Sequence, residues 1–260
     1  LILNNLEYDH ADIFPDIEAI QTQFHHLLRT VPATGLVLAP SANDNIDEVL
    51  ALGTWSEVAR VGQTQIKKPL AQDIGGMWSV GATASNGASF DVLLDGKHQG
   101  QVTWQLLGKH NQHNALNAIG AARHVGVPVA QAIQALSKFA GVKRRLETIY
   151  QDQYFVLYDD FAHHPTAIRT TLEGLRKAVG SDEIVAVIEP RTHTMSLGTL
   201  RQDLTTCCAA ADQVVWFRGE NINWDLSEVQ KNCVIPATML DKHDAIVSAI
   251  LKHSSEAHAS

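Results

Sequence analysis

The sequence has few cysteines and no apolar run long enough to cross a bilayer. Three cysteines occur in 260 residues, and two of them, Cys207 and Cys208, are adjacent in a predicted helix. They match neither a disulfide framework nor a metal-ligand spacing, so we expect the pair to be buried in a core and the protein to be cytoplasmic. Without a long apolar run, the sequence predicts no transmembrane helix and no membrane partner.

Positive charge is also scarce. Lys and Arg together number 20 against 28 Asp and Glu, which gives a formal net charge of -8 and a sequence pI near 5.9. Binding to a phosphate backbone normally needs a concentrated excess of basic residues, so we expect no nucleic-acid partner. The net charge does not exclude ATP, because a few basic groups and a metal ion can be placed locally.

Two further features are missing at the level of motifs and chain ends. No G-x-x-x-x-G-K-[ST] phosphate-binding loop occurs anywhere in the 260 residues. The chain opens at Leu1-Ile2-Leu3 without an initiator Met, and no strand follows its last predicted helix. We therefore expect a fragment that lacks its P-loop and ends in a truncated domain.

The hydrophobic pattern that is present predicts two α/β domains. Hydrophobic side chains make up 45% of the residues, enough for two cores. Period-two alternation predicts a hairpin over residues 90–106, followed by Ala-rich helical periodicity over residues 111–125. We place the domain boundary between residues 1–145 and residues 146–260. Strands and helices alternate in the second part, which predicts a mostly parallel, Rossmann-like sheet that includes strands at residues 155–158, 184–188 and 213–217.

Polar clusters lie where predicted strands or helices begin or end, as ligand sites do in open α/β sheets. The first cluster, residues 4–12, combines carboxylates with His10 and could lie near Mg²⁺, although Mg²⁺ prefers oxygen ligands. An exposed polar loop is the alternative. The second cluster places Asn111 and Asn114 three residues apart, where amide groups could face the edge of an adenine. A helix N-cap is the alternative there.

Three more clusters follow along the chain. Lys143-Arg144-Arg145 could bind phosphate or carboxylate, although a short basic run is more often solvated surface. Residues 158–165 place two carboxylates and two imidazoles between a strand and a helix, a combination that favours ribose, phosphate or metal binding. Glu189-Pro190-Arg191 follows the next strand and is either a substrate loop or an ordinary polar turn.

Taken in order, these clusters resemble the Mur ligases, ATP-dependent enzymes that join amino acids or peptides to a UDP-linked muramyl carboxylate. Asp9-His10-Ala11-Asp12 resembles their DHxD motif, residues 108–114 resemble the GxHNxxN motif, and residues 159–165 resemble the DDxxHHP motif. The resemblance spans residues 1–195. It implies the carboxy-terminal part of the family's central ATP-binding domain, over residues 1–145, followed by its amine-binding domain, over residues 146–260.

The residues in and around these motifs are most similar to those of the branch that acts in peptidoglycan recycling. That branch joins the tripeptide L-Ala-γ-D-Glu-meso-diaminopimelate to UDP-N-acetylmuramate through an acyl phosphate. Ligation of L-alanine and a non-catalytic nucleotide-binding module are the alternatives, and a folylpolyglutamate synthase fits less well.

The resemblance also implies roles for single residues. His10 would bind Mg²⁺, Asn111 and Asn114 would contact the adenine of ATP, and His110 would also take part in binding the nucleotide. Arg145 would reach the nucleotide from the domain boundary, and Asp160 and His163 would approach its ribose and phosphates from the second domain. These three are the expected catalytic residues. We expect Arg191 to bind a carboxylate of the tripeptide. One departure concerns the metal site, since no Lys lies between His10 and Arg29, where some relatives carry a carbamylated Lys.

Overall fold

The computed structural model describes residues 1–62, 65–66, 68–190, 195, 198, 200–220, 222 and 224–257, with side chains described up to residue 251. The chain divides into two compact units. Unit 1 consists of Leu1–Asp9 and Ile13–Ala140, and unit 2 of His10–Asp12 and Gly141–Ser260. The domain boundary that we predicted after Arg145 stays a prediction.

The sheet of unit 1 has five strands within the described residues, arranged in chain order. They are β1 (Leu36–Pro40), β2 (Glu57–Gly62), β3 (Met77–Thr83), β4 (Ser89–Leu94) and β5 (Lys97–Thr103). The first three run parallel, whereas β4 and β5 continue the sheet antiparallel. The predicted hairpin is thus confirmed. Its turn has φ values of 49° at Asp95 and 73° at Gly96, as a tight two-residue connection requires.

Three of the four helices that the structure describes in unit 1 follow a residue that favours a helix start. They are α1 (Ile17–Leu28), α2 (Asp44–Ala51), α3 (Lys109–His124) and α4 (Val129–Leu136). Asp16 caps α1 by accepting from the Ala19 amide at 2.8 Å, and Asn43 caps α2 by accepting from the Ile46 amide at 3.0 Å. Pro128 precedes α4, where its missing N–H costs nothing.

Helix α3 packs closely on the sheet because residue 120 is glycine. A Cβ at Gly120 would lie 2.8 Å from Leu38 Cδ2 and 3.1 Å from Trp78 Nε1. Leu116, on the same helix, is buried in the core that also contains Trp78. The glycine therefore sets the distance between the sheet and the helix that carries the predicted adenine contacts.

A buried ion triad ties three segments of unit 1 together. The Arg60 side chain on β2 is 1% exposed and forms ion pairs with Asp47 on α2 at 2.7 Å and with Asp73 at 2.6 Å. It also donates to the Pro40 carbonyl at 3.0 Å. Two carboxylates and a carbonyl accept hydrogen bonds from the guanidinium, so its charge is paired inside the core.

Unit 2 contains a parallel sheet and a separate hairpin. Its elements are β6 (Glu147–Gln151), β7 (Val156–Asp159), α5 (Pro165–Val179), β8 (Val185–Ile188), α6 (Arg201–Cys207), β9 (Gln213–Phe217), α7 (Ser227–Asn232), β10 (Ala237–Leu240) and α8 (His243–Ala257). The parallel sheet has the order β10-β9-β8, and β6 pairs antiparallel with β7. The predicted α/β class with mostly parallel sheets is confirmed.

The strand predicted at residues 155–158 pairs differently from our expectation. Among the described residues it pairs with β6, a strand that we did not predict, and lies outside the parallel sheet. The reason is local: Asp152 Oδ1 accepts from the Tyr154 and Phe155 amides at 2.7 and 2.9 Å, which closes a tight turn. The turn brings two adjacent segments together as a hairpin.

The core of unit 2 contains the adjacent cysteines. Cys207 and Cys208 are fully buried, as predicted, beside Leu204 and Trp216. The hydrogen bond with Cys207, together with burial, raises the pKa of the Cys208 thiol and keeps it protonated. Of the helices that the structure describes, none combines the length and apolar character needed to span a membrane.

Candidate functional site

Polar side chains meet helix α3 at the carboxyl edge of the unit 1 sheet. Ile2 bridges to β1 in parallel, so Asn4 emerges from the same edge as Ser41, which follows β1. A Cβ at Gly62, the last residue of β2, would lie 3.2 Å from Ser41 Oγ and 3.7 Å from the His113 ring on α3. This edge is where ligands bind in open α/β sheets.

Four asparagines form a directional series of hydrogen bonds at this edge, here called the amide network. Asn117 Nδ2 donates to Asn4 Oδ1 at 3.0 Å, and Asn4 Nδ2 donates to Asn114 Oδ1 at 2.9 Å. Asn114 Nδ2 donates to Asn111 Oδ1 at 3.4 Å, and Asn111 Nδ2 donates to the Leu107 carbonyl at 2.8 Å. The network links the amino-terminal segment to three successive turns of α3.

The structure brings the two predicted adenine contacts together. Asn111 and Asn114 share one face of α3 and bond to each other, while His110 is half-buried in the first turn of the helix. Their contact with adenine stays a prediction. Sequence reasoning placed Asn4 in the first polar cluster without linking it to α3. It missed Asn117, although asparagines recur every three residues from position 111 to position 117.

The predicted magnesium ligand lies in the polar loop near the start of the chain. His10 is exposed and has a φ of 55°, a conformation that non-glycine residues adopt rarely. Among the described residues, no group of three or more His, Cys, Asp or Glu side chains is arranged to hold a metal ion. Binding of Mg²⁺ by His10 stays a prediction.

In unit 2, the Asp160 carboxylate joins two segments of backbone. Asp160 Oδ2 accepts from the Leu146 amide at 2.7 Å, and its Oδ1 accepts from the Ala162 amide at 2.8 Å. The Phe161 amide adds a third link by donating to the Arg144 carbonyl at 2.8 Å. These bonds hold the basic segment, residues 143–145, beside the strand-to-helix turn, residues 158–165. Sequence analysis treated the two as separate clusters.

Two guanidinium groups lie near one aromatic ring at this junction. The Cζ atoms of Arg144 and Arg145 lie 5.1 and 5.6 Å from the centre of the Phe161 ring. Arg144 Nε also pairs with Asp159 Oδ2 at 3.1 Å. Contact with an aromatic face restrains an exposed arginine, so the turn presents concentrated positive charge beside its carboxylates.

The two histidines of the turn have different surroundings. His164 caps α5, because its Nδ1 accepts from the Thr166 amide at 3.3 Å, and Pro165 then opens the helix. His163 Nδ1 lies 3.0 Å from the Phe161 carbonyl, and the residue is partly exposed. Arg145, Asp160 and His163 therefore lie in one region of unit 2, and their catalytic and nucleotide-binding roles stay predictions.

A cavity of about 890 Å³ opens beside this turn. Apolar side chains of β7, α5 and β8 line its interior, and Asp160, His163 and Glu189 also line it. Its acidic side chains outnumber its basic ones: Asp152, Asp159, Asp160, Asp182, Glu183 and Glu189 against Arg144. Such a lining favours a cationic group over a carboxylate. Arg191, the predicted carboxylate ligand, lies outside the described residues.

Two family models match the chain. The Mur ligase middle domain matches residues 1–122, and the Mur ligase, glutamate ligase domain matches residues 144–258. One match falls mainly in unit 1 and the other in unit 2.

Two relatives and one solved structure show similarity over most of the chain. The UDP-N-acetylmuramate–L-alanyl-gamma-D-glutamyl-meso-2,6-diaminoheptandioate ligase of Escherichia coli (strain K12) is 44% identical over 253 residues, 97% of this chain and 53% of that protein. The UDP-N-acetylmuramate–L-alanine ligase of Desulfitobacterium hafniense (strain Y51) is 31% identical over 215 residues, 83% of this chain and 45% of that protein.

The solved structure is a murein peptide ligase from Psychrobacter arcticus 273-4. It is 36% identical, with a TM-score of 0.66, over 97% of this chain and 51% of that one. The chain thus spans about half the length of the proteins it matches.

Proposed function

Because this chain belongs to the Mur ligase family, we propose that it supplies the adenine-binding and amine-binding parts of an ATP-dependent ligase. The proposed reaction joins L-alanyl-γ-D-glutamyl-meso-diaminopimelate to UDP-N-acetylmuramate. Such a reaction reuses cell-wall peptides and takes place where nucleotide substrates are available, in the cytoplasm.

The observation that carries the proposal is the similarity to the tripeptide ligase of Escherichia coli, in both identity and coverage of the chain. Identity is 44% over 97% of the chain for the tripeptide ligase, against 31% over 83% for the L-alanine ligase. The difference favours the tripeptide as the amine substrate. Ligation of L-alanine is the second candidate, supported by that weaker similarity.

The amide network supports the adenine part of the proposal. A planar carboxamide offers an N–H donor next to an oxygen acceptor, and the edge of adenine offers the complementary pair. Asn111 and Asn114 carry these groups on the face of α3 at the carboxyl edge of the sheet. Hydrogen bonds within unit 1 hold both side chains in this orientation.

The proposed chemistry has two steps. An oxygen of the muramyl carboxylate attacks the γ-phosphorus of ATP, and ADP leaves. The amino group of the peptide then attacks the acyl carbon, and the tetrahedral intermediate expels phosphate. Positioning and charge neutralisation provide most of the catalysis in such transfers. Mg²⁺, where bound, would neutralise charge on the phosphates, with His10 as the proposed protein ligand.

Unit 2 offers complementary groups for the nucleotide and the peptide. The guanidinium groups of Arg144 and Arg145, restrained at Phe161, are suited to phosphate oxygens. The acidic lining of the cavity is suited to the amino group of the peptide. The peptide carboxylates need positive partners elsewhere, and we propose Arg191 for one of them.

The test uses the complete gene product that carries this chain. It is incubated with ATP, Mg²⁺, UDP-N-acetylmuramate and either the tripeptide or L-alanine, and ADP and the ligated product are measured by mass spectrometry. We expect product with the tripeptide at a kcat/KM at least about 100-fold above that with L-alanine, a difference of about 2.7 kcal/mol. A preference for L-alanine would support the second candidate. Formation of neither ADP nor ligated product with either amine would support a non-catalytic module.

The 260-residue chain by itself provides a further check. We expect no ligation from it, because no phosphate-binding loop occurs in its sequence. ATP-dependent product formation by the purified chain would contradict this expectation.

A further inference from the structure

We propose that Asn4 is a positioning residue that fixes the carboxamide of Asn114 and thereby sets the preference for ATP over 6-oxopurine nucleotides. The proposal rests on the proposed function, in which Asn114 contacts the adenine. None of the motifs at residues 9–12, 108–114 and 159–165 includes Asn4. Its part in the site emerges from the hydrogen bonds of unit 1.

The direction of the amide network follows from its last acceptor. A carboxamide can be turned by 180° with little change in shape, so its oxygen and nitrogen must be assigned from their partners. The Leu107 carbonyl can only accept, which requires Asn111 to present its Nδ2 at 2.8 Å. Asn111 then offers its oxygen to Asn114 Nδ2, which leaves the Asn114 oxygen facing Asn4 Nδ2 at 2.9 Å.

Asn4 is itself held from two sides. Its Oδ1 accepts from Nδ2 of Asn117, a residue that is only 6% exposed on α3. Its backbone follows Leu3, whose amide donates to the Leu38 carbonyl of β1 at 2.8 Å. The sheet and the buried face of α3 thus restrain Asn4, and Asn4 in turn restrains the exposed carboxamide of Asn114.

The fixed carboxamide of Asn114 has one N–H and one oxygen lone pair left for a ligand. Adenine complements this pair, since its N7 accepts and its 6-amino group donates. Hypoxanthine carries an oxygen at position 6 and would set two acceptors against each other. A freely turning amide could adapt to that base, whereas an amide held by both Asn111 and Asn4 cannot. The bond to Asn4, at 2.9 Å, is shorter than the bond to Asn111, at 3.4 Å, so we assign most of the discrimination between the two bases to Asn4.

The experiment compares Asn4→Asp and Asn4→Ala with the parent in the complete gene product, with ATP or ITP as the phosphoryl donor. Aspartate retains an acceptor for Asn117 but sets a carboxylate oxygen against the Asn114 oxygen, and alanine removes both contacts. In both variants we expect KM for ATP to rise about tenfold and kcat to stay within about twofold. The ratio of kcat/KM for ATP to that for ITP should fall about tenfold.

Asn232→Asp is the matched control. Asn232 is exposed on α7, and its side chain donates to the Glu228 carbonyl at 2.9 Å within the same helix, so this variant should keep the parent's KM and ATP/ITP ratio. Thermal unfolding of all variants checks their fold. An unchanged KM and ratio in both Asn4 variants, or a fall in kcat without a rise in KM, would overturn the proposal. Absence of ATP-dependent ligation by the parent would instead remove the proposed function, and this proposal with it.

Discussion

Single polar residues in this protein owe their roles to their partners. Arg60 is among the largest fully buried side chains of unit 1, yet it is charged. Burial lowers the pKa of its guanidinium, but hydrogen bonds to Asp73 and Asp47 outweigh burial and raise that pKa above its ordinary value. The charge is tolerated because two carboxylates surround it.

Replacing Arg60 should destabilise unit 1 strongly. We expect Arg60→Met to lower the free energy of unfolding by about 3–5 kcal/mol, because it leaves two carboxylates buried without their cation. Urea denaturation followed by tryptophan fluorescence measures this loss. Arg123→Met, at an exposed position on α3, is the control and should change stability by less than about 0.5 kcal/mol. Equal effects of the two substitutions would contradict a structural role for the triad.

At the scale of elements, the turn between β7 and α5 contains a carboxylate that holds the backbone together, and candidate functional residues lie beside it. Both oxygens of Asp160 accept backbone N–H groups, whereas His163 and Arg145 remain accessible to a ligand. An amide at position 160 could accept only one of these bonds and would set its NH₂ group against the other N–H. The carboxylate of Asp160 therefore has a structural role beside the catalytic role that we propose for it.

Asp160→Asn should accordingly lower stability as well as ligase activity. We expect a loss of about 1–3 kcal/mol in the free energy of unfolding of unit 2, because the half-buried amide of Leu146 or Ala162 would lose its acceptor. Asp159→Asn breaks only a partly exposed ion pair with Arg144 and should cost less than about 1 kcal/mol. Differential scanning calorimetry compares the melting temperatures of both variants with that of the parent. An unchanged melting temperature for Asp160→Asn would show that its carboxylate serves the substrate alone.

At the scale of the whole molecule, two units each bury a core of their own. The core clusters of unit 1 contain residues such as Trp78 and Leu38, and the cluster of unit 2 contains Trp216 and Leu204. Separate cores allow separate cooperative unfolding.

We therefore expect two unfolding transitions in the 260-residue chain. Leu204→Ala should shift the transition of unit 2 by about 2–5 kcal/mol, because Leu204 is fully buried, and should leave the other transition in place. Arg60→Met should do the reverse. Fluorescence and near-UV circular dichroism in urea follow both transitions. A single transition shifted equally by both substitutions would show that the units unfold together.

The sequence by itself determined the fold class, the hairpin of unit 1 and the two asparagines that face the same way on α3. These features depend on periodicity and on residues three or four positions apart, which local geometry settles. It also determined the family, because three polar motifs occur in the family's order. The roles predicted for His10, His163 and Arg191 stay predictions.

Only the tertiary structure decided which distant residues cooperate. Asn4 and Asn114 are 110 positions apart, and nothing local to either shows that their amides bond. The pairing of residues 155–158 with β6, and the use of both Asp160 oxygens by backbone amides, were likewise invisible in the sequence. The physical reason is the same in each case: hydrogen-bond partners of polar groups depend on which chain segments the packed cores bring together, and periodicity carries no record of that.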